Sequence, residues 1–110
     1  MVELHKLMLI MKPTAAIINV ARGAIINEEN LIWALENNEI AFAALDVLEN
    51  EPPAKENPLL YMDNVIITPH TAWYSIESQN VLQSTVAEDV VRVLQGGKPK
   101  NLVNTQVDKV

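Results

Sequence analysis

The stretch AAIINVA at residues 15–21 is a nearly continuous apolar run, short enough to be a single β-strand. Its isoleucines and valine are β-branched, which suits a strand better than a helix. Because no polar residues alternate with the apolar ones until the end of the run, we expect a strand buried on both faces, as in the centre of a parallel sheet.

A helix and a second strand are predicted after this run. Asn27 is a good N-cap, and Glu28 lies in the first turn, where the helix dipole favours negative charge. A buried stripe follows at Leu31, Ile32 and Leu35. The second apolar run is AFAALDV at residues 41–47. Strand, helix and strand within about 30 residues make a βαβ unit, which requires a parallel sheet.

The remaining elements extend this α/β pattern. A proline-rich and acidic connection leads to VIITP at residues 65–69, which we interpret as a third strand. A long helix is predicted from the N-cap Ser75 to the pair Gly96-Gly97, and a polar tail covers residues 98–110. Apolar residues with helical spacing at the N-terminus, Leu4, Leu7, Met8 and Met11, predict another helix. We therefore expect about three parallel strands with flanking helices.

Composition excludes several classes of function. The chain has 110 residues and a net charge of −6, so it is expected to be one globular domain without a basic surface for nucleic acid. It has no cysteine, which excludes disulfides and thiolate catalysis and fits a cytoplasmic location. The N-terminal apolar residues are interrupted by charges, so neither a signal peptide nor a membrane span is predicted.

Polar residues follow all three predicted strands. Arg22 comes after the first strand, Asp46 and Glu51 at and beyond the end of the second, and His70 after the third. Each has an ordinary interpretation alone: a surface arginine, a capping aspartate, a solvated loop glutamate and a structural histidine. Because ligands of parallel α/β sheets bind at the carboxyl ends of the strands, their coincidence favours one small-ligand site.

These residue types support one kind of chemistry. Histidine exchanges protons near neutral pH, and a carboxylate hydrogen-bonded to it fixes its tautomer. Arginine offers a planar fork that matches a substrate carboxylate. The set suits reversible oxidation of a 2-hydroxy acid, for which a cofactor must take the hydride.

Three stretches carry a resemblance to a known family: MKPTAAIINVARGAIINEENLIWAL (11–35), AALDVLENEPP (43–53) and NVIITPHTAWYS (64–75). They resemble the NAD-dependent D-isomer-specific 2-hydroxyacid dehydrogenases, which include phosphoglycerate, formate, glyoxylate/hydroxypyruvate and D-lactate dehydrogenases. The resemblance implies that residues 1–110 are the C-terminal part of a dinucleotide-binding, Rossmann-type domain with a partial parallel sheet.

The resemblance also implies roles for individual residues. Arg22 would bind the substrate carboxylate and carbonyl, His70 would be the general acid–base, and Glu51 would hydrogen-bond to His70. The expected contacts with NAD come from Val20, Ala21, Arg22, Asp46, His70, Thr71 and Ala72. TPHTAWYS (68–75), followed by a long helix and NLVN (101–104), most resembles the C-terminal-binding-protein and phosphoglycerate dehydrogenase-like branch. In C-terminal-binding proteins the corresponding tryptophan lines the substrate pocket, which implies that role for Trp73; the alternative is that Trp73 packs against Tyr74 and the start of the helix.

The sequence departs from the family in its glycines. Only Gly23, Gly96 and Gly97 are present, so no G-x-G-x-x-G phosphate loop can be drawn. We therefore expect weak NAD binding and no significant turnover by these residues alone. Exposed sheet and helix surfaces lead us to expect a homo-oligomer, or pairing with the missing half of the domain.

Three other functions stay open at this stage. One is an NAD(H)-sensing corepressor of the C-terminal-binding-protein kind, and another is a truncated relic without activity. A metal hydrolase built on the two histidines, His5 and His70, is remote because neither lies in a zinc-binding motif. We therefore expect no metal site.

Overall fold

The computed structural model describes residues 10–104, which belong to two compact units that divide after Trp73. The first unit contains strands β1 (Ala16–Asn19), β2 (Phe42–Leu45) and β3 (Val65–Ile67) and helix α1 (Glu28–Glu36). The second contains helix α2 (Ile76–Leu94). The predicted α/β fold is confirmed: the three strands are parallel and lie in the order β1-β2-β3. The predicted N-terminal helix falls almost wholly outside the described residues.

Within the part of the first unit that the structure describes, residues 10–73, the sheet has one covered and one open face. Ile18, Ala44 and Ile66 stand side by side in the parallel register, and Ile18 and Ile66 are 70% and 56% exposed. The prediction of a first strand buried on both faces is therefore wrong for this part of the chain. The reason is that α1 covers only the opposite face, where Ala43 and Leu45 join the core.

Helix α1 begins and packs as its sequence predicts. The Asn27 side chain accepts the backbone N–H of Asn30 at 2.9 Å, which supplies the N-cap. Leu31 and Leu35 are buried against the sheet together with Ile40 and Leu59. Each such side chain contributes about 1.5–3 kcal/mol on burial. This core fixes the backbones of β1, β2 and β3 and therefore the positions of the loops that leave their carboxyl ends.

Helix α2 has sharply defined ends but no buried residue. Ser75 and Ser78 form a capping box at its start. At its end the N–H of Gly97 donates to Arg92 O at 2.8 Å and that of Gly96 to Val93 O at 3.0 Å, a Schellman motif. On the predicted apolar face, Leu94 is 82% exposed, and the other four residues are about half exposed, namely Leu82, Val86, Val90 and Val93. None of the helices in residues 10–104 has the length and apolar character needed to cross a bilayer.

Candidate active site at the carboxyl edge of the sheet

The loop after β3 places His70 in an uncommon backbone conformation. Its φ is 55°, in the left-handed region that non-glycine residues rarely occupy. Its backbone N–H donates to Asp46 O at 2.9 Å, and its carbonyl accepts the indole N–H of Trp73 at 3.0 Å. Backbone strain of this kind costs on the order of 1 kcal/mol and persists only where neighbouring contacts hold it. The surrounding contacts therefore fix this histidine in place.

Asp46 supplies most of those contacts. Its buried carboxylate accepts the backbone N–H groups of Thr71 and Ala72, both at 2.8 Å, and the hydroxyl of Thr68. Burial raises the pKa of Asp46, but the hydrogen bonds from Thr68, Ala72 and Thr71 outweigh it, so the pKa lies below its ordinary value. An ionised Asp46 thus ties the end of β2 to the loop on both sides of His70.

Glu51 and His70 form a hydrogen-bonded pair. His70 Nδ1 lies 2.8 Å from Glu51 Oε2, and the other oxygen, Oε1, accepts the backbone N–H of Leu48 at 3.0 Å. The hydrogen bond with His70 and the one from Leu48 lower the pKa of Glu51. Because an ionised carboxylate only accepts, the proton of this bond lies on Nδ1, which leaves Nε2 for a ligand. The side chains of His70 and Glu51 are 41% and 40% exposed, so solvent screening makes the contribution of this pair to folding stability small. The main effect of the bond is to orient the His70 ring.

A cleft of about 380 Å³ adjoins this pair. Its polar lining comes from Asp46, Glu51, Thr68 and His70, and its apolar lining includes Leu48, Pro52, Pro53 and Ile67. Neither Arg22 nor Trp73 lines it. The structure therefore brings three of the four predicted polar residues to one cleft and leaves the arginine outside.

Arg22 lies in the turn after β1 and bonds locally. Its exposed side chain donates from Nη1 to Ala21 O at 2.6 Å. The turn itself depends on Asn19, whose buried side chain accepts the N–H of Ala21 at 3.1 Å and donates to Arg22 O at 2.9 Å. Sequence reasoning missed Asn19, although an amide inside the otherwise apolar run AAIINVA was the available signal.

The residues expected to contact a cofactor surround the same edge. Val20 is 61% exposed, and Ala21, Thr71 and Ala72 are exposed as well. The N–H groups of Thr71 and Ala72 already donate to Asp46, so their carbonyls and side chains are what a cofactor could reach. No group of three potential metal-ligating side chains occurs within residues 10–104, and His5 lies outside that range.

The lowered pKa of Asp46 predicts acid sensitivity. A depressed pKa stabilises the fold above the ordinary value of 3.8, and this stability is lost as the pH falls through the folded-state pKa. Asp46→Asn is therefore expected to lower the free energy of unfolding at pH 7, with the difference from wild type shrinking as the pH falls below 3.8. Urea unfolding across this range is the measurement. Asp63→Asn, at an exposed aspartate, is the control, and a difference independent of pH would contradict the assignment.

Comparisons with known proteins show the family of the chain. Residues 4–72 match the family model of the D-isomer specific 2-hydroxyacid dehydrogenase, NAD binding domain. The chain belongs to this family. The resemblance predicted from its motifs is thereby confirmed.

Named relatives and solved structures give the extent of the likeness. The chain is 48% identical over 95 residues to D-3-phosphoglycerate dehydrogenase of Methanocaldococcus jannaschii, covering 86% of this chain and 18% of that protein. It is 44% identical over 100 residues to glyoxylate reductase of Thermofilum pendens, covering 91% and 30%. The structure of D-lactate dehydrogenase with NAD+ from Lactobacillus jensenii superposes with a TM-score of 0.77 at 33% identity, covering 91% and 34%. The chain thus spans between 18% and 34% of each of these proteins.

Proposed function

We propose that residues 15–73 form the proton-transfer and carboxylate-binding part of a nicotinamide-dependent dehydrogenase for a small 2-hydroxy acid. The observation that carries the proposal is the His70 Nδ1 to Glu51 Oε2 hydrogen bond of 2.8 Å beside a cleft at the carboxyl edge of a parallel sheet. A histidine oriented by a carboxylate commonly acts as the general acid–base that transfers a proton to or from a substrate oxygen.

The proton chemistry follows from the pair. In the reducing direction, the carbonyl carbon of a 2-oxo acid receives a hydride while protonated His70 gives the proton on Nε2 to the carbonyl oxygen. The products are the 2-hydroxy acid and a neutral histidine. Glu51, kept ionised by its bonds from His70 and Leu48, stabilises the imidazolium before transfer and holds Nδ1–H throughout.

Arg22 is proposed to bind the substrate carboxylate. Its guanidinium is exposed and makes one short bond to Ala21 O, which a carboxylate can replace with two parallel bonds. Substrate binding on this account reorients the arginine side chain, while the turn that carries it stays fixed by Asn19. A small 2-oxo acid also agrees with the names of the relatives, which include glyoxylate reductase.

The nicotinamide end of NAD fits the residues present. Exposed apolar side chains at Val20 and Ala21 follow β1, and the exposed residues Thr71 and Ala72 follow β3 with backbone carbonyls, which suits a flat ring bearing an amide. When bound, the cofactor supplies or accepts the hydride. The pyrophosphate has no corresponding glycine-rich loop among the three glycines of this sequence. We therefore expect residues 1–110 alone to bind NADH weakly and to show no significant turnover.

A chimaera tests the proposal directly. Residues 15–73 would replace the matching segment of Thermofilum pendens glyoxylate reductase, which is 44% identical to this chain. We expect the chimaera to bind NADH or NADPH and to reduce glyoxylate within about tenfold of the parent rate, since the replaced segment supplies the same pair. A folded chimaera that binds cofactor and lacks turnover would contradict the proposal. The parent enzyme carried through the same preparation is the control.

Several expectations remain predictions. Self-association is supported by the half-exposed apolar residues of α2, such as Val86 and Val90. A pocket role for Trp73, the boundary of a tail at residue 98 and a cytoplasmic location likewise await a test. No observation favours the corepressor function over the dehydrogenase function.

A further inference from the structure

The side chain of Glu28, at the start of α1, holds both ends of the loop that carries Glu51. Its Oε1 accepts the backbone N–H of Glu49 at 2.5 Å, and its Oε2 accepts the side-chain amide of Asn57 at 2.9 Å. Glu49 returns the contact, because its own Oε1 accepts the backbone N–H of Glu28 at 3.0 Å. Residues 49–57 are thus fastened to α1 at their first and last positions.

The loop of residues 49–57 contains the Glu51 carboxylate that bonds to His70, and it forms part of the cleft wall. Glu51, Pro52 and Pro53 all line the cleft, and all lie between the two anchors. The far anchor is itself tied to the core, since Asn57 Oδ1 accepts the N–H of Leu59 at 3.0 Å and Leu59 is 1% exposed. Movement at either anchor therefore moves the backbone of Glu51 relative to His70.

Only a carboxylate satisfies both anchors at once. Two donors, one from Glu49 and one from Asn57, reach the two oxygens of Glu28 separately, whereas a glutamine would offer one acceptor and present a donor to the other anchor. Helix-dipole stabilisation does not account for this arrangement, because the neighbouring Glu29 has the same advantage and makes no hydrogen bond to the loop residues described.

We infer that Glu28 is a positioning residue that sets the His70–Glu51 hydrogen bond through Glu49 and Asn57. The inference rests on the proposed function for the role given to the pair. The link itself is structural, and it predicts that loosening the loop at residue 49 or 57 lets Glu51 leave Nδ1 of His70.

Nitrogen-15 NMR of the histidine rings in the 110-residue chain tests this inference at a pH where histidine is neutral. We expect wild-type His70 to carry its proton mainly on Nδ1, held by Glu51. In Glu28→Ala the majority form should change to Nε2–H, the form that neutral imidazole favours in water. Glu29→Ala, which removes the same charge from the same helix turn, should leave the spectrum unchanged.

Asn57→Asp covers the case in which Glu28→Ala does not fold. It keeps the acceptor for Leu59 N–H but replaces the donor to Glu28 with a like charge, so the same change to Nε2–H is expected. Folded Glu28→Ala or Asn57→Asp chains that keep Nδ1–H would overturn the inference and leave the proposed function standing. A wild-type His70 with its proton on Nε2 would overturn the pair itself, and the proposed function with it.

Discussion

Replacing Gly23 by alanine is expected to lower the free energy of unfolding by about 3 kcal/mol or more. Gly23 is buried in the turn after β1, and a Cβ there would overlap the backbone carbonyl of Leu48 and lie 2.5 Å from Glu49 N. Backbone atoms cannot rotate away as a side chain can. Either the turn after β1 or the segment after β2 must move, and chemical denaturation measures the cost.

Gly96→Ala is the matched control for this effect. Gly96 has a φ of 82°, and a Cβ there would meet no atom within 4 Å. Alanine at that position is strained without a clash, which predicts a loss of about 1 kcal/mol. Equal losses of unfolding free energy in the two variants would contradict the close contact between Gly23 and the backbone of Leu48. A larger loss at Gly23 supports the close packing of the two loops that carry Arg22 and Glu51.

Replacing His70 by glutamine in the glyoxylate reductase chimaera is expected to lower kcat by about 10²–10⁴-fold. Glutamine keeps a polar side chain of similar length but cannot deliver a proton at neutral pH. The Michaelis constant for glyoxylate should change much less, since Arg22 is proposed to bind the carboxylate. Steady-state kinetics with saturating NADH provide both values.

Glu56→Gln is a suitable control in the same assay. Glu56 is an exposed residue of the acidic loop that holds Glu51, and it does not line the cleft. Its replacement removes a nearby negative charge and leaves the pair intact, so kcat should stay within about twofold. A His70→Gln chimaera that is folded and retains a kcat within tenfold of its parent would remove His70 from the proton-transfer role.

The elements of the fold were predictable because local signals agreed with one another. The apolar runs at 15–21 and 41–47, the N-cap Asn27 and the capping serine Ser75 each marked an element that the structure contains. The open sheet face was not predictable, because an apolar run of strand length predicts burial of both faces even where no other element packs on one of them. Ile18 shows this, with the composition of a core residue and an exposure of 70%.

The candidate site was predictable in its residue types and less so in its contacts. The sequence brought Asp46, Glu51 and His70 to one edge of the sheet, and the structure places all three around one cleft. The Arg22 side chain instead donates a hydrogen bond to the carbonyl of Ala21. This contact depends on the side-chain rotamer of Arg22, which cannot be predicted from the spacing of residues in the sequence. The two hydrogen bonds that Glu28 accepts from Glu49 and Asn57 could not be predicted from the sequence. A glutamate in the first turn of a helix is already expected because of the helix dipole, so its presence does not indicate further contacts.

A double-mutant cycle on His70 and Glu51 in the chimaera tests the central claim most directly, namely that the two residues act as one acid–base unit. The kcat values of His70→Gln, Glu51→Gln and the double variant are compared with that of the unmodified chimaera. If Glu51 acts only by holding His70, the double variant should be no more than about threefold slower than His70→Gln alone. Losses that multiply across the two sites would contradict the account, because they would mean that Glu51 serves turnover without His70.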